Sequence, residues 1–192
     1  MIAQLRGSVA AVGATWVLVD VNGFGIKALC TPATASAQRH GAQTTLATSL
    51  VVREDSLTLY GFASGDERDC FELVQTASGI GPRLALAVVS TLGPDDLRAA
   101  VASGNVTALT RVPGIGAKSA QRLILELKDK IGQLSVVGSA GTVSSGWRDQ
   151  VKSGLEGLGW SARDAESACA ELAETETSVA VLMRAALRTL AK

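Results

Sequence analysis

The sequence predicts a multidomain protein in which a β-rich part is followed by helices. Short runs punctuated by turn residues fill residues 1–64, which is typical of strands. From Gly65 onward, apolar residues recur at helical spacing. An uncharged, Ser- and Gly-rich stretch then precedes a last helical segment. We therefore predict a β domain at 1–64, a helical domain at 65–132, a flexible linker at 133–146 and a small helical domain at 147–192.

The β-rich part contains five predicted strands, separated by turns at Gly13-Ala14 and Asn22-Gly23 and by a polar tip at 53–55. The predicted strands are Ser8–Val12, Thr15–Val19, Gly25–Leu29, Thr45–Val52 and Ser56–Phe62. Five short strands predict a small barrel or sandwich. They also match an OB-type barrel, which often binds nucleic acid, although a fold alone does not establish a function.

The central part contains five predicted helical segments, and three more follow the linker. The central segments are Asp66–Ala77, Leu84–Leu92, Pro94–Ser103, Val106–Arg111 and Lys118–Ile131. After the linker, the predicted apolar faces are Trp147, Val151, Leu155 and Leu158 on the first helix and Leu182, Ala186 and Leu190 on the third. Ser161 and Asp164 form a Ser-x-x-Asp start for the second helix. A module this small predicts marginal stability alone and an apolar surface for a partner.

Composition excludes several classes of protein. Lys+Arg and Asp+Glu both total 18, so any nucleic-acid contact must come from clustered charge or from backbone N–H groups. The three cysteines lack metal or disulfide spacing, which predicts no metal, no cofactor and a reducing cytoplasm, with Cys70 and Cys169 as buried thiols. His40 is expected in an exposed turn. Neither a signal peptide nor a membrane-spanning apolar stretch is predicted.

The strongest signal is an internal repeat. Residues 77–85, ASGIGPRLA, align with residues 112–120, VPGIGAKSA, and the first glycines of the two copies, Gly79 and Gly114, are 35 positions apart. Each copy follows one helical segment and opens another. A repeat in equivalent contexts favours a shared function over two unrelated turns.

The repeated residues suit phosphate binding. The paired glycines, Gly79 with Gly81 and Gly114 with Gly116, permit positive φ and close approach to a ligand. The N–H groups that follow begin a helix and favour an anion. We expect Ile80 and Ile115 to point inward, and Arg83 and Lys118 to add positive charge at equivalent positions. Such contacts position a protein on nucleic acid without reading its sequence.

Three alternative interpretations of the repeat remain. A dinucleotide-binding fingerprint must follow a strand, whereas both copies follow helices. A phosphate loop needs glycine where Val112 and Ala117 stand. The third alternative is a pair of tight helix turns that bind no ligand, which two equivalent copies make less favourable than one would.

Three stretches of the chain resemble the RuvA family, the Holliday-junction-binding subunits of bacterial RuvAB branch-migration complexes. They are the start MIAQLRG, the hairpin VVREDSLTLYGF at 51–62 and the ordered pair of GIG motifs. The resemblance implies an OB-fold barrel, a central domain with two helix-hairpin-helix motifs and a C-terminal three-helix domain. It also implies a homotetramer, or an octamer, that holds an open four-way junction. The hexameric ATPase RuvB is implied to contact the C-terminal domain, and the resemblance leaves open whether the resolvase RuvC joins.

The resemblance carries over to individual residues. Glu54 and Asp55 match the family's acidic pin, and two carboxylates at a hairpin tip would repel phosphates. Without the family, a solvated turn is the simpler interpretation of this pair. The hairpin glycines and Arg83 and Lys118 match the family's DNA-binding positions. Many relatives have a second basic residue where Ala117 stands, and we expect Arg122, one turn beyond Lys118, to compensate there.

Two other classes of function compete with junction binding. A DNA-repair enzyme, such as a glycosylase or ligase, can use the same hairpins but needs a catalytic lysine or aspartate in a local motif, and the sequence contains none that we identify. No ATP loop and no paired nucleophile and base are evident, so no catalytic residue is predicted. A protein-interaction adaptor acting through the C-terminal module is the remaining alternative.

Overall fold

The computed structural model describes residues 2–134, 147–170 and 179–190. The chain divides into two compact units, Met1–Gly138 and Ser139–Lys192. The described residues form five strands and eight helices. The strands are β1 (Gln4–Val12), β2 (Trp16–Val21), β3 (Phe24–Cys30), β4 (Gln43–Val52) and β5 (Leu57–Phe62). The helices are α1 (Pro32–Ser36), α2 (Gly65–Gln75), α3 (Pro82–Ala102), α4 (Val106–Leu109), α5 (Ala117–Leu134), α6 (Trp147–Gly157), α7 (Ala162–Ala170) and α8 (Val179–Leu190).

The five strands close into a barrel in the order β1-β2-β3-β5-β4. Every neighbouring pair is antiparallel except β3 and β5, which are parallel and are connected through α1 and β4. The interior is filled by alternate residues of the strands, including Leu5, Val9, Val17 and Leu46. This is the five-stranded architecture that the sequence predicted.

Helix α1 was not predicted from the sequence. Its start carries a recognisable local signal, because the Thr31 hydroxyl accepts a hydrogen bond from the N–H of Thr34 at 3.2 Å and Pro32 occupies the first turn. Five residues are too few to show a helical period, which explains why pattern analysis missed the element.

The central helices surround a second core that begins on the barrel. Tyr60 and Phe62, at the end of β5, pack against Phe71 of α2 with ring centroids 4.9 Å apart in both pairs. All three rings are buried in one cluster with α3 and α5. Burial of each aromatic side chain contributes about 2 kcal/mol or more. The barrel and the central helices are therefore held in one unit.

Helix α3 bends at Gly93, whose φ of 69° and ψ of 170° are not helical. Pro94 follows and cannot donate a backbone hydrogen bond, so the helix continues in a new direction. The sequence predicted two helical segments here, Leu84–Leu92 and Pro94–Ser103, and the bend falls between them. Arg98 in the second half forms ion pairs with Asp95 and with Asp66 of α2.

The C-terminal unit is a small helical module with its own core. Val151, Leu155, Ala165, Leu182 and Ala186 are buried together. The Ser161 hydroxyl accepts a hydrogen bond from the N–H of Asp164 at 3.2 Å, as the predicted helix start requires.

One predicted core position in this unit is wrong. Leu158 was placed on the apolar face of the first helix, but α6 ends at Gly157 and 63% of Leu158 is exposed. The helical period does not continue past the end of the helix. Of the predicted linker, residues 133 and 134 belong to α5, and residues 135–146 lie outside the described residues.

Candidate nucleic-acid interface

The first Gly-Ile-Gly motif is a tight turn between α2 and α3. Gly79 has a φ of 80°, in the left-handed region that favours glycine. The N–H of Ile80 donates to the carbonyl of Ala77 at 3.1 Å, and the Ile80 side chain is buried in the central core. Gly81 then caps α3 with extended backbone and without a side-chain hydrogen bond. The turn is anchored by its isoleucine and leaves the start of α3 without a side-chain cap.

The second motif repeats this geometry between α4 and α5. Gly114 has a φ of 91°, and the N–H of Ile115 donates to the carbonyl of Val112 at 3.0 Å. Ile115 is buried in the same core as Ile80. The N–H of Ala120 donates to the carbonyl of Gly116 at 2.9 Å, as that of Ala85 does to Gly81. The internal repeat of the sequence is therefore a structural repeat, and both isoleucines point inward as predicted.

Each hairpin presents features that suit an anion. Gly81 and Gly116 have open space where a side chain would stand, since a Cβ built on either meets nothing within 4 Å. Arg83 and Lys118 are exposed at equivalent positions of α3 and α5. A helix N-terminus with free N–H groups, an adjacent cation and no side chain in the way can hold a phosphate.

The two hairpins are braced by each other's helices. A Cβ on Gly79 would lie 2.9 Å from Nη2 of Arg122 on α5, and a Cβ on Gly114 would lie 3.2 Å from Cδ1 of Leu84 on α3. The Arg122 guanidinium lies against the first hairpin, and α5 packs against α2 on this side. Its expected role beside Ala117 of the second hairpin stays a prediction.

Two further residues of α5 contact the first hairpin, and sequence reasoning missed both. The carboxylate of Glu126 accepts a hydrogen bond from the N–H of Ser78 at 2.8 Å. That bond is the main cause lowering the pKa of Glu126, with smaller contributions from Arg122 and Lys130. The Lys130 ammonium lies 3.4 Å from the Thr76 hydroxyl. The spacing of Arg122, Glu126 and Lys130 marks one helical face, but nothing in the local sequence indicates what that face meets.

The predicted acidic tip joins β4 to β5 in a four-residue turn. The N–H of Arg53 donates to the carbonyl of Ser56 at 2.9 Å and closes the turn. Glu54 and Asp55 are both exposed, and the Ser56 hydroxyl donates to the Asp55 carboxylate at 3.2 Å. Within the described residues neither carboxylate forms an ion pair, so the tip presents negative charge to its surroundings.

The cysteines and the histidine lie apart from this interface. Cys30, Cys70 and Cys169 are free and buried, and burial raises the pKa of the Cys30 and Cys70 thiols to about 11. His40 is exposed in a turn. Across residues 2–134, 147–170 and 179–190, no group of three or more His, Cys, Asp and Glu could hold a metal ion. None of the helices in those ranges combines the length and apolar content needed to cross a bilayer.

The barrel and the paired hairpins define a class of protein, those that join a five-stranded OB-like barrel to a tandem helix-hairpin-helix. Comparison with known families agrees at each part of the chain. The family model described as "RuvA N terminal domain" matches residues 1–61, "SAM-like Helix-hairpin-helix tandem" matches 71–129, and "RuvA, C-terminal domain" matches 146–191.

Curated relatives match over the whole chain. A protein of a Nocardioides species is 54% identical over 199 residues and covers 100% of both chains. Proteins of Acidothermus cellulolyticus and Thermobifida fusca are 56% and 52% identical, covering 98% and 100% of this chain and 95% and 100% of their own. All three are named "Holliday junction branch migration complex subunit RuvA". The chain belongs to the RuvA family, which confirms the resemblance and the predicted fold class.

Proposed function

We propose that this chain binds four-way Holliday-junction DNA as the non-motor subunit of a branch-migration complex. The observation that carries the proposal is the pair of equivalent hairpins, each with an open glycine at an anion-binding helix start and an exposed cation nearby. The full-length similarity to proteins named as subunits of such a complex supports it. In this proposal the chain has no active site, and ATP hydrolysis belongs to the motor.

The hairpins grip the DNA backbone without reading bases. The proposed contact residues are Gly79, Ile80, Gly81, Arg83, Gly114, Ile115, Gly116, Lys118 and Arg122. The glycines and helix N–H groups approach the phosphates, the isoleucines anchor the turns, and the three cations add charge. Arg122 acts at the first hairpin, where it lies against Gly79.

The acidic tip supplies selectivity for DNA shape. Glu54 and Asp55 repel phosphates, so they disfavour plain duplex across the tip and keep the centre of a junction open. In a homotetramer, the proposed assembly, eight such carboxylates ring the four-fold axis. An octamer would place a second ring on the opposite side of the junction.

The C-terminal unit is the proposed contact for the hexameric ATPase RuvB. Its small core leaves large apolar residues at the surface, since Leu158 is 63% exposed and Val181 is 46% exposed. We propose that these side chains form part of the surface that meets the partner. The resolvase RuvC would join through the assembled junction.

The test compares a four-way junction with a linear duplex of the same length across a range of salt. We expect the junction to be bound at protein concentrations that leave the duplex free. If two hairpins in each of four chains neutralise one phosphate apiece, log K should fall with log salt at a slope of roughly −7. Native mass measurement of the same complex distinguishes a tetramer from an octamer.

A charge variant at the hairpins separates site contacts from net charge. Arg83→Gln with Lys118→Gln should lower junction affinity and flatten the salt slope. The control, Arg6→Gln with Arg39→Gln, removes two exposed cations from the barrel domain and should change both quantities little. Equal affinity for junction and duplex, or a slope near zero, contradicts the proposal. Turnover of damaged or nicked DNA by the purified chain would favour a repair enzyme instead.

A further inference from the structure

The two Gly-Ile-Gly hairpins differ at the residue that precedes their first glycine. This residue is Ser78 in the first hairpin and Pro113 in the second. In both hairpins the isoleucine N–H donates to the carbonyl three residues earlier, at 3.1 Å in the first and 3.0 Å in the second. Ser78 and Pro113 therefore occupy the second position of two equivalent four-residue turns.

Proline fixes the second of these turns through its ring. Turns of type II have positive φ at their third position, where glycine is favoured, and commonly have proline at their second. Pro113 and Gly114, whose φ is 91°, meet both preferences. The ring sets the backbone angle in advance and leaves no N–H at this position. The second turn is therefore held by its own covalent geometry.

The first turn has neither property, because serine stands in place of proline. The Ser78 backbone is less restricted, and its N–H is available to donate a hydrogen bond. The carboxylate of Glu126 on α5 accepts that bond at 2.8 Å, across 48 positions of sequence. Helix α5 begins at Ala117, directly after the second hairpin. The hydrogen bond thus ties the first turn to the helix that the second hairpin opens.

This contact belongs to a face of α5 that meets the first hairpin at several points. A carboxylate acceptor strengthens an N–H hydrogen bond, and the bond is the main cause lowering the pKa of Glu126. Arg122 and Lys130 lie one helical turn to either side. Nη2 of Arg122 would lie 2.9 Å from a Cβ on Gly79, and the Lys130 ammonium lies 3.4 Å from the Thr76 hydroxyl. Glu126 is therefore the centre of a row of three contacts.

We propose that Glu126 is a positioning residue for DNA binding, which holds the first hairpin in the conformation that proline gives to the second. The inference rests on the proposed function, in which the hairpins contact the phosphates. Glu126 acts through the Ser78 N–H on the turn that leads to Gly81 and the start of α3. A carboxylate near a phosphate otherwise only opposes binding, since like charges repel. Repulsion and positioning therefore predict different results when the carboxylate is replaced.

Two substitutions that remove the same charge test the proposal. Glu126→Gln keeps an oxygen that can accept the Ser78 N–H, whereas Glu126→Ala keeps none. We expect Glu126→Ala to bind a four-way junction about threefold more weakly than Glu126→Gln, the size of an exposed charge-assisted contact. Glu72→Ala and Glu72→Gln, at an exposed position of α2, form the matched control pair and should not differ. Equal affinity of the two Glu126 variants overturns the inference.

A Ser78→Pro background should make the acceptor at position 126 unnecessary. This substitution removes the N–H and gives the first turn the residue type of the second. In that background, Glu126→Ala and Glu126→Gln should bind the junction equally. A threefold difference that persists would assign the effect to the general packing of α5 and would overturn the inference.

Amide hydrogen exchange in the free chain measures the positioning role without DNA. The Ile80 N–H should exchange faster in Glu126→Ala than in Glu126→Gln, whereas the Ile115 N–H of the proline-containing turn should exchange equally in both. Equal acceleration at both hairpins would indicate a loss of overall stability and would contradict the inference. Absence of junction preference in the wild type overturns the proposed function instead, and hydrogen exchange still decides whether Glu126 holds the turn.

Discussion

The two glycines of each hairpin have different physical roles. Gly79 and Gly114 adopt positive φ, which costs most other residues about 1 kcal/mol or more. Gly81 and Gly116 lie outside the positive-φ region and have empty space around the position of a Cβ. The first glycine of each pair therefore shapes the turn, and the second keeps a surface clear.

Serine substitutions should separate these roles. Gly79→Ser should lower the free energy of unfolding by about 1–2 kcal/mol, since backbone strain remains even if Arg122 swings away. Gly81→Ser should leave stability unchanged or raise it, because serine is a good N-cap, while weakening junction binding by filling the open space. Urea denaturation and junction titration measure the two effects. Equal loss of stability in both variants contradicts the division of roles.

The stability of the first hairpin depends on pH through the carboxylate of Glu126. Its carboxylate accepts the Ser78 N–H, and this bond lowers its pKa. A carboxyl with a lowered pKa in the folded state stabilises the fold above its unfolded pKa, and that stability is lost as pH falls through the folded pKa. The affected pH window therefore lies below the ordinary pKa of glutamate.

NMR titration should show this coupling directly. The Ser78 amide signal should shift with the same midpoint as the Glu126 carboxyl, below the ordinary value for glutamate. Glu126→Gln should abolish that step, whereas Glu72→Gln, on the exposed face of α2, should leave it in place. A Ser78 amide that still titrates in Glu126→Gln would assign the effect to another group.

At the scale of elements, one carboxylate joins the barrel to the central helices. Glu67 of α2 accepts hydrogen bonds from the hydroxyls of Thr31 and Thr34 at 3.0 and 3.2 Å, and from the N–H of Ala63 at 3.1 Å. Both threonines are buried, Thr31 as the N-cap of α1 and Thr34 within that helix. The Ser64 hydroxyl caps the same turn by accepting from the Glu67 N–H. These hydrogen bonds of Glu67 help to fix the acidic tip and the hairpins relative to each other.

Removing the Glu67 carboxylate should weaken the attachment of the barrel to the central helices. Glu67→Ala removes the acceptor of two hydroxyls and one N–H, with the Thr34 hydroxyl left as the remaining acceptor for Thr31, and we expect the free energy of unfolding to fall by about 2 kcal/mol. Glu72→Ala, on the same helix and exposed, is the control and should cost less than about 0.5 kcal/mol. Urea denaturation of both variants checks the difference. Similar costs would mean that the Glu67 contacts contribute nothing specific.

For the whole molecule, the division into two compact units suggests a division of labour. A chain ending at residue 138, the boundary of the first unit, keeps both hairpins and the acidic tip. We expect it to bind junctions with the preference of the full chain but not to support ATP-driven branch migration with the motor. Gel shift and a branch-migration assay measure these properties. Loss of junction binding in a folded fragment would place DNA contacts in the second unit.

Net charge near zero makes the distribution of charge decisive. Glu54→Gln with Asp55→Asn should raise affinity for plain duplex and reduce the preference for junctions, because repulsion at the tip disappears. Glu72→Gln with Asp96→Asn removes two other exposed carboxylates and controls for net charge alone. If both double variants change duplex affinity equally, the effect is one of overall charge and not of the tip.

Much of the fold was readable from local patterns. Five strand runs, the Gly-Ile-Gly repeat and the break at Gly93-Pro94 each lie within a few residues of sequence. Alternation, helical period and glycine or proline positions act over that range. The inward isoleucines followed from the same reasoning, because an apolar residue between two turn glycines has little else to contact. The repeat by itself thus determined that two equivalent hairpins form and that each opens a helix.

Only the tertiary structure decided what surrounds those hairpins. Glu126 meets Ser78 across 48 positions of sequence, and the Arg122 guanidinium lies against Gly79. Tyr60 at the end of β5 packs on Phe71 of α2, a contact between residues 11 positions apart that belong to different kinds of element. Such contacts depend on how whole elements pack, and a local pattern contains no information about the partner of an exposed helical face. The hairpins come from the sequence, and the contacts that brace them come from the packing of the core.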